Sequence, residues 1–149
     1  MVRHVARRTG RPAVLGMTAI VLAGLAGCGP SGPEKLLPVE GQVRFKGKAL
    51  TKGTVVLHAD AGKGNTTKHE PRGRIEGDGR YTVFTHPRPG APPGWYKVTV
   101  IATEPSDPKN PYSLPRALIP EKFGKPDESR LTLEVRSDPS PGAYDLDLK

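Results

Sequence analysis

The sequence predicts an all-β fold, a seven-stranded antiparallel β-sandwich, behind a cleaved amino-terminal leader. Three observations lead there. Short segments alternate apolar and polar residues with the period of a strand. Glycine and proline, 18 and 17 of the 149 residues, gather between those segments, where turns belong. No stretch after the leader carries the apolar period of a helix.

The leader comes first. Residues 1–12, MVRHVARRTGRP, carry Arg3, Arg7, Arg8 and Arg11 and no acidic residue. An apolar run follows over 13–27, broken only by Thr18. A bilayer core needs about 20 apolar residues, so this run is too short to span it. Gly16, Gly24 and Gly27, with no polar face, disfavour a core helix. A basic segment before a short apolar region is the pattern of a secretory signal.

The run ends in Leu25-Ala26-Gly27-Cys28, which holds the only cysteine of the chain. These four residues resemble the lipobox of bacterial lipoproteins. The resemblance implies cleavage between Gly27 and Cys28 and acyl chains, palmitate among them, on Cys28. Two or three chains hold a protein at a membrane where one alone is marginal. An unpaired cysteine in an exported protein calls for an explanation, and lipidation supplies it. Arg7-Arg8 is a poor twin-arginine signal, because Thr9, Gly10 and Arg11 provide no apolar sequel. The expectation is export and anchoring to a bacterial membrane, on its periplasmic or cell-surface face; Gly29, standing where some lipoproteins retained at the inner membrane carry aspartate, leaves the outer membrane open as the destination.

Charge argues against a nucleic-acid partner. The full chain has 23 Lys+Arg against 15 Asp+Glu. Four of the basic residues and none of the acidic ones lie in 1–27, which leaves 19 against 15, or +4, over the 122 residues of 28–149. Half of the apparent basicity therefore belongs to the leader, and the rest is scattered like a solvated surface. A mature length of that size suits one domain with one modest core. With a single cysteine no internal disulfide forms.

Residues 28–38 read as a Pro/Gly tether that lets the domain, 39–149, stand off the membrane. The strands follow in order. VEGQVRFKG puts Val39, Gly41, Val43 and Phe45 on one face and Glu40, Gln42, Arg44 and Lys46 on the other. In GKALTKG the glycines bracket a tight turn, and Leu50 folds back on the core. TVVLH pairs Val55 with Leu57. RGRIEGDGRYTVF reads as a hairpin, since Asp78-Gly79 accepts positive φ, with Tyr81 and Val83 inward. In APPGWYKVTVIA the prolines stop one segment and Gly94 releases the next, with Tyr96, Val98 and Val100 opposite Trp95, Lys97 and Thr99. RLTLEV offers Leu131, Leu133 and Val135, and AYDLDLK offers Tyr144, Leu146 and Leu148. Two longer loops, 59–71 and 104–129, interrupt the spacing, and loops of that length are either functional or disordered. IPEKFG is expected to pin the second by burying Ile119 and Phe123.

Taken in this order, VEGQVRFKGKALTKGTVVLH, GRIEGDGRYTVFT, PPGWYKVTV and IPEKFGKPDESRLTLEV…YDLDL resemble the carboxypeptidase-regulatory-like, or transthyretin-like, domains of small bacterial lipoproteins. The resemblance spans about residues 38–149. It implies a prealbumin-like sandwich at the cell envelope and says little of activity.

No enzyme signature stands out. His58, His69 and His86, with Asp60, Glu70 and Asp78, are residue types that bind metals, but their spacing matches no site, so neither a metal nor another cofactor is expected. Glu76-Gly77-Asp78-Gly79 lacks the later ligands of a calcium loop. AGKGNTT at 61–67 lacks both the phosphate-loop spacing and a following helix. Neither GxSxG nor HExxH occurs. The hydroxyisourate hydrolases, an enzyme branch of the transthyretin-like fold, end in Tyr-Arg-Gly-Ser, whereas this chain ends Tyr144-Asp145-Leu146-Asp147-Leu148-Lys149. The expectation is a lipid-anchored, non-enzymatic structural or interaction module. The alternative is an envelope carbohydrate- or peptide-binding module that uses the loops, with Trp95 and Tyr112 as ligand contacts.

Overall fold

The computed structural model describes residues 34–104, 109–110 and 112–149. All of them fall in one compact unit, Gly32–Lys149. The leader, Cys28 and the first part of the tether lie outside the described residues.

In chain order the strands are β1 (Glu40–Phe45), β2 (Lys48–Ala49), β3 (Gly53–Ala59), β4 (Arg72–Ile75), β5 (Arg80–Thr85), β6 (Arg88–Pro89), β7 (Gly94–Ile101), β8 (Thr103–Glu104), β9 (Arg116–Ala117), β10 (Leu131–Val135) and β11 (Leu146–Leu148). Helix is confined, among the described residues, to the 3-10 turns Ala61–Lys63 and Glu121–Gly124. No helix among them is long and apolar enough to cross a membrane.

Seven strands run in one hydrogen-bonded path, β10-β7-β3-β4-β5-β1-β11, which curls into a half-barrel. These are the seven segments that the alternation marks. The pairings are antiparallel with one exception. β11 lies parallel to β1, with Val43 opposite Leu146 and Phe45 opposite Leu148. A wholly antiparallel sheet was the expectation, and it fails here because alternation sets which face a side chain takes but not the direction of the strand. β1 also divides its partners. Glu40–Gln42 pairs with β5, while its second half pairs with β11 and β2.

Alternate residues of each strand fill the core. Val39 and Val43, Val55 and Leu57, Tyr81 and Val83, Tyr96, Val98 and Val100, Leu133 and Val135, and Leu146 and Leu148 are all buried, as is Leu50 behind its turn. The opposite face is not uniformly wet. Val56 and Thr99 face each other across β3 and β7 and are buried too. The His58 ring lies against Thr99, with Nε2 at 3.0 Å from its Oγ1. Leu37, expected in the tether, exchanges two backbone hydrogen bonds with Ala91 at 2.9 Å and belongs to the core. The folded part therefore begins before Val39.

The β4–β5 hairpin forms where Asp78-Gly79 predicts it, but only Gly79 takes positive φ, at 84°. The turn is thus a three-residue loop, closed by Glu76 N–H to the Arg80 carbonyl and by Gly79 N–H to the Glu76 carbonyl. In the second long loop Ile119 and Phe123 are buried, as IPEKFG predicts. The Ser129 hydroxyl donates to the Val98 carbonyl at 2.7 Å, and Lys97 reaches Asp127 at 2.6 Å. That pairing raises the pKa of Lys97 and lowers that of Asp127, chiefly through the hydrogen bond itself. At the far edge the Tyr81 hydroxyl donates to the Tyr144 carbonyl at 2.6 Å, and burial holds its pKa well above the ordinary tyrosine value.

Candidate functional site

The first long loop, unlike most loops of its length, is tied down by its own backbone. Asp60 N–H and the Asn65 side-chain amide both donate to the Trp95 carbonyl, at 3.0 and 2.9 Å. Asn65 N–H and Lys63 N–H both return to the Asp60 carbonyl, and the Asn65 side-chain oxygen accepts from Thr67 N–H at 3.0 Å. Asn65 is itself buried. It meets the requirement that a buried amide satisfy both its donor and its acceptor. The loop is therefore a preformed shelf at the start of β7.

The shelf carries a cation over an aromatic. Lys63 Nζ lies 3.7 Å from the centre of the half-buried Trp95 ring, within cation–π range. Beside it opens a groove of about 600 Å³, walled by the shelf, by Pro92 and Pro93, and by Glu34 and Lys35 from the chain entering the domain. Glu34 is held there by His69 Nε2 and the Thr67 hydroxyl, each at 3.3 Å. Three lysines line the groove, Lys35, Lys63 and Lys68, against the one carboxylate of Glu34. What such a site can do is hold an anion or stack a flat group.

The residues singled out from sequence are scattered. Trp95 is held to the shelf, while Tyr112 is 93% exposed on the second loop, its backbone N–H bonded to Asn110 Oδ1. Among the described histidines, only His69 lines the groove. His58 contacts Glu70 at 3.2 Å and Thr99, and His86 is exposed before β6. Arg72, with His58 as a lesser influence, holds the Glu70 carboxyl below its usual pKa. Among the described residues no three His, Cys, Asp or Glu side chains converge as a metal ion would need. Sequence reasoning missed Asn65, Lys35 and Lys68, because 34–35, 63–69 and 92–94 meet only in the fold.

Replacing Asn65 with alanine removes two bonds of the shelf. The expected cost is about 1–2 kcal/mol, together with a red shift of the emission of Trp95, the only tryptophan, as Lys63 and its loop lift away. Unchanged emission and melting would mean that other contacts hold the shelf.

Comparison with protein-family models, with curated proteins and with solved structures returned no match.

Proposed function

We propose that this chain is an exported bacterial lipoprotein, held to a membrane by acylated Cys28, whose transthyretin-like β-domain acts as a non-enzymatic structural or interaction module. One observation carries the reading: the basic and then apolar leader ends in Leu25-Ala26-Gly27-Cys28, and the core begins only nine residues later at Leu37. A sandwich is the finer reading of the domain, and the divided pairing of β1 supports it. A strand that gives its first half to β5 and its second to β11 has the form of one passing between two layers.

A second reading, binding of envelope glycan or peptide, draws on the groove beside Trp95. It stands behind the first because Lys63 occupies a face of the indole on which a sugar ring would stack.

The test is metabolic labelling with a clickable palmitate analogue. The natural chain is expected to take the label and Cys28→Ser to take none. Equal labelling of both, or of neither, would overturn the reading.

A further inference from the structure

The lysines of the groove lie at the end of the domain from which the tether departs. Glu34, the first described residue, is pinned to the shelf by His69 and Thr67. Five residues separate it from Cys28. An extended chain covers at most about 3.5 Å per residue, so an acyl anchor on Cys28 keeps Glu34 within about 20 Å of the bilayer surface.

Three exposed lysines share that one groove. Elsewhere in the described domain some cations meet carboxylates, as Arg72 does Glu70, Arg80 Asp78, Lys97 Asp127 and Lys125 Glu128, and others such as Lys48, Lys52 and Arg88 do not. Lys35 and Lys68 have no ion-pair partner among the described residues, and Lys63 rests on Trp95 instead. All three are exposed, and the shelf that carries Lys63 and Lys68 is already rigid. Anionic headgroups attract lysines held near the surface, and the attraction fades within about 10 Å in ordinary salt. Charges on the tethered end of the domain are the ones the anchor holds nearest to the bilayer surface.

We infer that Lys35, Lys63 and Lys68 form a membrane-facing patch that docks the domain onto anionic phospholipid headgroups, with the Trp95 edge at the interface. The inference rests on the acyl-anchor reading for its geometry. The patch is the second signal that supplements the lipid and fixes which face of the domain meets the bilayer. Its ligand is the phosphate of a lipid surface rather than a soluble anion.

Trp95 reports on this directly. The mature chain, extracted from membranes, is reconstituted into vesicles of phosphatidylcholine alone or with phosphatidylglycerol, each doped with a headgroup spin-labelled lipid that quenches nearby indole. Quenching of Trp95 is expected in the anionic vesicles only, and salt should relieve it. The double variant Lys63→Glu/Lys68→Glu is expected to lower the quenching by at least about tenfold while still floating with the vesicles. A charge-matched control, Lys48→Glu/Lys52→Glu, lies outside the groove lining and should quench like the natural chain. Circular dichroism confirms that each variant is folded.

Equal quenching in both lipids, its survival in the groove variant, or its equal loss in the control would overturn the inference. Absence of quenching throughout would also overturn it and return the groove to a soluble acidic ligand or a glycan. Failure of the anchor is separately visible. If the chain carries no acyl group, its cosedimentation with anionic but not neutral vesicles still tests the patch.

Discussion

Gly41→Ala is expected to loosen the carboxy-terminal strand from the sheet and to cost about 3 kcal/mol, near the upper end of what overpacking does. A Cβ at this position would overlap the Tyr144 carbonyl oxygen and press against the Tyr81 ring at 3.1 Å. Backbone cannot step aside as a flexible side chain would. The same carbonyl accepts the Tyr81 hydroxyl, and the neighbouring Gln42 N–H donates to Asp145 at 2.9 Å. Moving Tyr144 therefore disturbs both contacts at the entry to β11, just ahead of its ladder with β1. The melting temperature should fall by roughly 10 °C. Gly77→Ala is the control, since open space surrounds it and its backbone is unstrained. A change within about 0.5 kcal/mol is expected there. Equal melting of the two variants would mean that β11 does not close onto β1 as described.

Tyr96→Ala is the second large effect. Tyr96 is fully buried on β7, in register with Ala59 on one side and Leu133 on the other. Its hydroxyl donates to the Pro92 carbonyl at 2.8 Å, which ties the groove wall to the core. Truncation opens a cavity that rigid strands on both sides cannot fill, and the expected cost is about 3–5 kcal/mol. Tyr96→Phe keeps the ring and loses only the bond, for about 1 kcal/mol. Chemical denaturation of the pair separates the two contributions. If Tyr96→Phe costs as much as Tyr96→Ala, the hydroxyl rather than the packing would be what holds β7.

The strands were legible because one face of each is buried, and burial writes an alternation into residues such as Val39/Val43 and Tyr96/Val98/Val100. That same signal stops short in several places. β2, β6, β8 and β9 have two residues each, too few to show a period. The parallel course of β11 leaves no mark on Leu146 and Leu148, whose faces would be the same in either direction. Val56 and Thr99 fall on the face opposite the core residues, yet both are buried, and Thr99 bonds His58. Asp78-Gly79 announced the hairpin, in which Gly79 alone of the pair takes the left-handed region.

Less of the candidate site could be read. Trp95 was visible as a large aromatic on the polar face of its strand, but its partner Lys63 lies in a glycine-rich loop that invited a phosphate-loop reading. Asn65 looks like an ordinary turn residue until its side chain is seen bonding to the Trp95 carbonyl 30 positions away. Lys35 looked like part of a featureless tether. Such long-range contacts have no local spacing to betray them.

The central claim is the anchor, and the intact mass of the protein extracted from membranes tests it most directly. The account predicts a mass equal to residues 28–149 plus acyl chains, lost in Cys28→Ala. An unmodified mass recovered from the soluble fraction would contradict it, and with it the envelope reading.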